Sequence, residues 1–265
     1  MSGDLEGRVA IVSGGGRGIG KAISLGLAAD GANVVVNYRR DRDAADATVA
    51  EIEALGGSAI AVGASVDDYD ACGRLVDAAV SQFGYVDILV NNGGIASAGR
   101  SVADSDPAEF ERVVRTHAFG AWYLSKLVLP TMRERPRGDI VMISSVATMS
   151  NGANGSPYNM GKAALEALAY TLAKEERPYG IHVNVVAPGL VETDMGRRLA
   201  RAVAGVQDLR TLDAAMPFGR VCQPSDVADV VRFFCSPRAG YLTGEKINVW
   251  GGGQDWRAAS AAGDS

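Results

Sequence analysis

The stretch that decides the fold runs from Arg8 to Gly20: RVAIVS leads straight into Ser13-Gly14-Gly15-Gly16-Arg17-Gly18-Ile19-Gly20. A short apolar run of β-forming residues ends in a glycine-rich turn, and a segment of helical period, Gly20–Asp30, follows. Glycines at 14, 18 and 20 permit a tight turn, let the backbone come close to a bound group, and let the helix seat against the strand. The helix N-terminus then offers free N–H groups and a positive dipole end to phosphates. A glycine-rich turn alone also closes ordinary loops. The strand before it, the helix after it and its place in the first strand–helix unit are what mark a pyrophosphate cradle.

Working outward, the same alternation continues. Apolar, Val- and Ile-rich runs at Arg8–Ser13, Asn33–Tyr38, Ser58–Ala64, Val86–Asn91, Asp139–Ser144, Ile181–Ala187 and Lys246–Trp250 read as seven strands. They are continuous rather than alternating, as strands covered on both faces require. Helical stretches such as Gly20–Asp30, Arg42–Leu55, Asp70–Phe83, Pro107–Met132 and Tyr158–Arg177 separate them. Strand–helix–strand repeats of this length predict an α/β fold, a parallel sheet with helices on both faces. No linker or composition break interrupts the chain, so residues 1–265 read as one domain. Two segments stand outside the pattern: an insertion at about 190–217 and a small-residue tail at about 254–265, expected to fray.

The 265 residues carry 26 Lys and Arg against 31 Asp and Glu, a net charge of -5. Without a dense basic patch, nucleic acid is not expected as a partner. No apolar run reaches the roughly 18 residues that cross a bilayer, and the start MSGDLEGR lacks an export signal, so neither membrane nor export is expected and a cytoplasmic location is. Cys72, Cys222 and Cys235 have neither disulfide nor zinc spacing and read as small buried residues; no metal is expected.

About 20 residues beyond the glycine turn, an acid at the end of the second strand would bind the ribose of NAD. Here stand Asn37-Tyr38-Arg39-Arg40, with no acid before Asp41. Arg39, with Arg17 in the turn, can instead pair a 2′-phosphate through charge-assisted bidentate bonds, which favours NADP(H). Solvated loop charges are the plainer reading of each arginine alone; two positions pointing one way tip the balance.

Tyr158-Asn159-Met160-Gly161-Lys162 sets Tyr and Lys four apart on one helix face. An ammonium beside a phenol lowers the phenol's pKa and readies it for proton transfer. Such pairs are common on solvated helices. Ser145, just after the fifth strand, raises this one, since a hydroxyl at the carboxyl edge of the sheet can polarise a carbonyl.

With these residues in view, the sequence resembles the short-chain dehydrogenases/reductases over residues 5–253. The match includes the glycine turn, Asn91-Asn92-Gly93-Gly94, Ser145 thirteen residues before Tyr158, and Lys162. It continues with Asn184-Val185-Val186-Ala187-Pro188-Gly189, Thr193, Tyr241-Leu242-Thr243-Gly244 and Gly251-Gly252. The resemblance implies a Rossmann-type doubly wound seven-stranded parallel sheet and transfer of hydride between NADP(H) and a carbonyl or alcohol. It makes Tyr158 the general acid in reduction, Ser145 the hydrogen-bond donor to the carbonyl oxygen, and Lys162 the ribose ligand. For the cofactor it implies contacts from Gly14, Gly16, Arg17, Gly18, Ile19 and Gly20, then from Tyr38, Arg39 and Arg40. Ser65 and Val66 would border the adenine, Asn91, Gly93 and Gly94 the adenosine half, and Pro188, Gly189, Val191 and Thr193 the nicotinamide.

Several positions depart from the family pattern. Gly93 replaces Ala; Ser65 stands where an Asp often meets adenine; and His117 holds the place of a fourth catalytic residue, an Asn. The Asn acts largely through its backbone carbonyl, which a His keeps, and an imidazole titrating near neutrality could join the proton relay. A hydrogen-bonded core His is the plainer alternative. Trp250 replaces an Asp without a functional account.

The insertion Leu190–Pro217 corresponds to the family's substrate lid. Its four acids and four arginines declare no preference for an anionic substrate, and its apolar residues recur at helical spacing as if to bury one face. Relatives include reductases of 3-oxoacyl carrier protein and of polyketides or steroids. Tyr179 replaces the carrier-docking Arg, while Arg133, Arg135 and Arg137 form a basic region that also reads as a plain charged loop. A free small-molecule ketone is therefore preferred. The alternatives are alcohol oxidation, 3-oxoacyl thioester reduction, and a silent dinucleotide-binding protein. Family members often form homotetramers through helices equivalent to Ala118–Met132 and Tyr158–Arg177, both apolar on more than one face here.

Overall fold

The structure, a computed structural model, describes residues 3–253. The chain runs β1 (Val9–Val12), α1 (Gly18–Ala29), β2 (Asn33–Tyr38), α2 (Arg42–Ala54), β3 (Ala59–Gly63), α3 (Tyr69–Phe83) and β4 (Ile88–Asn91). Then come α4 (Pro107–Val114), α5 (Gly120–Met132), β5 (Gly138–Ile143), α6 (Ala147–Ser150), α7 (Ser156–Glu176), β6 (Ile181–Pro188), α8 (Asp194–Ala204), α9 (Pro224–Cys235) and β7 (Lys246–Val249). The strands form one parallel sheet in the order β3-β2-β1-β4-β5-β6-β7, the doubly wound Rossmann-type arrangement expected.

Side chains alternate across each strand and so feed two cores. Ala10 and Val12 face Ile23 and Leu27 of α1, Ala45 and Ile52 of α2, and Val231 and Phe234 of α9. Ile11 points the other way, to Leu75 of α3, Leu124 and Val128 of α5, and Leu165 and Ala169 of α7. β1, β4 and β5 are buried along their whole length, which is why their sequences read as unbroken apolar runs. The order reverses beside β1, between the connections that lead away to β2 and back to β4, and this opens a crevice at the carboxyl ends of the strands.

The amino edge of the sheet is held by ion pairs between buried carboxylates and partly exposed arginines. Arg8 donates to Asp139 at 2.7 Å, Arg137 to Asp139 at 2.9 Å and Arg135 to Asp87 at 2.9 Å. Arg133 bonds Glu176 at 2.6 Å and lies over the Tyr179 ring, as Arg135 lies over Tyr85. The Arg133–Arg137 region thus behaves as the plain charged loop, engaged with the protein itself and on the edge opposite the crevice.

Two elements differ from expectation. The helical run Pro107–Met132 is broken by a wider π turn, Arg115–Phe119, whose middle residue is His117. The insertion folds into α8 and a short 3-10 segment, Leu209–Ala215. Its apolar face is only half covered: Ala200 and Leu209 are buried with Val221, while Met195 and Leu199 are exposed. The tail expected at 254–265 lies outside the described residues. Among the described residues no helix is long and apolar enough to cross a membrane.

Candidate active site

The glycine turn joins β1 to α1 at the head of the crevice. Gly14 has φ +63°, a left-handed conformation that favours glycine. A Cβ at Gly20 would lie 2.1 Å from the Gly14 carbonyl, so the helix could not approach the turn with any side chain there. Arg17 caps α1 without a side-chain bond, and no acid sits in the first turn, so the leading N–H groups remain available to an anion. These features fit a dinucleotide pyrophosphate, and Gly16, backed against Ala45 of α2, adds to the fit.

Three polar residues that sequence reasoning left without a role hold this cradle. Ser13 Oγ accepts from the Asn92 and Gly93 N–H groups at 2.9 and 2.8 Å, and Asn92 Nδ2 donates to the Ser13 carbonyl at 2.8 Å. Asn37 Oδ1 accepts from the Gly14 N–H at 3.3 Å while its Nδ2 reaches the Ala64 carbonyl at 3.0 Å. The available signal was a polar residue at the carboxyl end of an apolar strand. Asn91 differs: its side chain is buried, with Nδ2 turned toward Ser125 and Met142.

At the adenosine end Arg39 and Arg40 are exposed, and the Tyr38 ring lies against Gly63. Asp41 is engaged: its carboxylate accepts from the Ala44 N–H at 3.2 Å at the head of α2 and lies 3.8 Å from Arg17. Ser65 donates to Asp67, and Val66 lies against Gly120. At the other end Pro188 closes β6 in the core and the Gly189 N–H donates to the Val249 carbonyl at 3.0 Å. Trp250 covers Gly189, which gives that residue a packing role: a Cβ on Gly189 would sit 3.1 Å from the Trp250 Cβ. Val191 is buried in a bridge to Cys222, and Thr193 caps α8, its Oγ1 accepting from the Gly196 N–H at 3.0 Å while its methyl faces Gly18.

β5 ends at Ile143, which places Ser145 at the carboxyl edge, and α7 carries Tyr158 and Lys162 alongside it. Burial raises the Tyr158 phenol above its ordinary pKa, and the Ser145 hydroxyl beside it offsets part of that rise. Lys162 is buried; its Nζ donates to the Ile143 carbonyl at 2.6 Å and stands 5.8 Å from the Tyr158 ring centre. Burial lowers its pKa to about 8. The expected depression of the Tyr158 pKa by Lys162 is therefore not what these contacts produce: burial dominates, and the phenol stays protonated at neutral pH.

His117 comes into the same group, edge-on to Tyr158 with ring centres 5.2 Å apart. Its Nε2 lies 2.8 Å from the Ile95 carbonyl, which assigns the ring proton to Nε2 and leaves the buried Nδ1 without a partner among the described residues. Burial, aided by the Lys162 ammonium, pushes its pKa down to about 3. An imidazole titrating near neutrality is thus overturned: the ring is neutral. Cys72, Cys222 and Cys235 are free thiols raised by burial, and no cluster of three metal-ligating side chains forms among the described residues.

Residues 14–254 match the family model described as enoyl-(acyl carrier protein) reductase. A versicolorin reductase of Emericella nidulans is 39% identical over 256 residues, 94% of this chain and 96% of that one. Among solved structures, a 7α-hydroxysteroid dehydrogenase complexed with NADH and 7-oxoglycochenodeoxycholic acid superposes with a TM-score of 0.85 at 36% identity, covering 95% of this chain and 96% of that one. A short-chain dehydrogenase from Burkholderia cenocepacia in complex with NADP gives 0.84 at 35% identity, over 94% and 98%. With the glycine cradle, the Ser145–Tyr158–Lys162 group and matches of this length, the chain belongs to the short-chain dehydrogenase/reductase family, oxidoreductases that interconvert carbonyl and hydroxyl groups.

Proposed function

We propose that this protein reduces a hydrophobic ketone to a secondary alcohol with NADPH. The observation that carries this reading is the Tyr158 phenol buried beside Ser145 at the carboxyl edge of the sheet. Reduction needs an acid at the carbonyl oxygen, and a phenol whose pKa is raised holds its proton until that oxygen becomes basic. Bound in the cradle, the cofactor supplies the hydride. Tyr158 Oη gives its proton to the carbonyl oxygen, Ser145 Oγ donates a hydrogen bond to the same oxygen, and the Lys162 ammonium holds the ribose and favours the phenolate left behind. His117, neutral and packed against Tyr158, shapes the site without exchanging a proton at neutral pH.

NADPH is preferred because Arg39 and Arg40 are exposed at the end of β2, whereas the nearest acid, Asp41, is engaged with the head of α2 and with Arg17. The remaining cofactor contacts follow the sequence assignment, with Asn91 acting through its main chain. Residues 190–217 serve as a lid, and exposed Met149, Met160, Met195 and Leu199, on segments flanking Ser145, Tyr158 and Thr193, favour an apolar substrate. The engagement of Arg133, Arg135 and Arg137 with the protein itself, far from the crevice, favours a free ketone over a carrier-bound thioester, and the versicolorin and hydroxysteroid relatives suit a cyclic or aromatic one. The chain works as one domain, in the cytoplasm, as a homotetramer.

The test is NADPH and NADH oxidation across cyclic diketones, steroid ketones, aromatic polyketide mimics and an acetoacetyl thioester. Turnover with NADPH that falls by about 10²–10⁴ in Tyr158→Phe, with cofactor binding retained, is expected. A mutant as fast as the parent would overturn the assigned acid, and turnover restricted to the thioester would overturn the substrate class.

A further inference from the structure

One turn beyond Lys162 on α7, Glu166 is only 9% exposed. Its Oε1 accepts from Ser144 Oγ at 2.5 Å and from Lys246 Nζ at 2.8 Å, and lies 2.9 Å from Thr148 Oγ1. Lys246 Nζ also donates to Thr148 Oγ1 at 2.8 Å. Thr148 in turn binds the Ser145 carbonyl twice, through its Oγ1 at 2.9 Å and its N–H at 3.2 Å. A carboxylate on α7 and an ammonium on β7 thereby grip the residues on both sides of Ser145. Neither Glu166 nor Lys246 has a part in the mechanism above.

Burying an ion pair carries a desolvation penalty that an apolar pair of the same volume would avoid, so its presence asks for a reason. The reason lies in where the charge falls. Glu166 is four residues from Lys162, on the same helix face, and its negative charge opposes the loss of the Lys162 proton that burial promotes. The other groups facing Lys162 do not: Tyr158 on α7 is neutral, His117 on the π turn is neutral, and β5 contributes the Ile143 carbonyl. Lys246, behind Glu166, works against it.

We propose that Glu166, with Lys246 as its counter-ion, is a positioning residue that keeps the Lys162 ammonium charged and fixes the Ser144–Ser145 strand end. This rests on Ser145, Tyr158 and Lys162 being the reacting group. Its signature is opposite movement of one pH limb. Glu166→Gln keeps an oxygen for the two hydroxyls but deletes the charge, so the alkaline limb of kcat for ketone reduction moves down by about one pH unit, tenfold in rate on that limb. Lys246→Met removes the opposing charge and moves the same limb up. The double variant returns close to the parent. Thermal melting and NADPH binding at pH 6 are measured alongside, to separate misfolding from titration. Should Glu166→Gln fail to fold, the upward shift in Lys246→Met decides alone. Limbs that stay put in both single variants, or move the same way, overturn the proposal while a dead Tyr158→Phe leaves the site reading standing. A Tyr158→Phe protein with parental turnover overturns both.

Discussion

The imidazole of His117 is boxed between two glycines. A Cβ on Gly94 would lie 2.6 Å from its Cε1, and one on Gly161 would lie 3.0 Å from its Cβ, so the ring is set in one orientation next to Tyr158. Its pKa of about 3, against 6.5 in the open, has a consequence for stability. Below pH 6.5 the unfolded chain takes up a proton that the folded one refuses, so this contribution is complete above 6.5 and declines as the pH falls toward 3. The slope approaches ~1.4 kcal/mol per pH unit. His117→Asn, which cannot titrate, is expected to melt with a flatter dependence between pH 6.5 and 4.5 and to keep activity within a few-fold; a slope equal to the parent's would mean that the ring is solvated. Ser145, Tyr158 and Lys162 were legible in the sequence because their spacing is local to one strand end and one helix. The neutrality of His117 was not, because it comes from burial of the ring and from the Lys162 ammonium, against the Ile95 carbonyl, and only the fold brings these together. The same holds for Ser13 and Asn92, 79 positions apart, and for Glu166 and Lys246.

At the level of elements, strands were read within a residue or two: burial on both faces leaves an unbroken apolar run in β1, β4 and β5, while the half-buried edge strands β3 and β7 showed through their Val and Ile content. The π turn at Arg115–Phe119 left no such mark, since a helix that widens for one turn keeps nearly the same spacing of apolar residues. The segment 190–217 was harder still: its helix could be foreseen, but exposure of Met195 and Leu199 depends on what lies opposite them. On the proposed reading the turn from β2 to α2 is the element that selects the cofactor. Arg39 and Arg40 project from it while Asp41 is tied into the head of α2. Arg39→Asp removes a charge-assisted partner and adds a repulsive one, and the ratio of kcat/KM for NADPH over NADH should drop at least ~10-fold. An unchanged ratio would place recognition of the 2′-phosphate elsewhere.

Over the whole molecule, the π turn and the outer face of α5 expose large apolar side chains. Phe119 and Trp122 are 45% and 48% exposed, and Trp122 borders a groove that continues to Leu129, Leu168 and Leu172. If this face joins subunits, Trp122→Glu buries a charge in the contact, and light scattering should report a fall from tetramer to a smaller species at micromolar concentration. An unchanged mass would move the interface to another face. The order of the strands has a different consequence. β1 is made first and ends in the middle; β2 and β3 are added to one side, then β4, β5, β6 and β7 in succession to the other. No strand has to be threaded between two that are already paired, so the sheet can grow outward as the chain leaves the ribosome. β7 arrives last and brings Lys246, so the glycine cradle can take shape early in synthesis, whereas the grip on Ser145 closes only when the final strand docks.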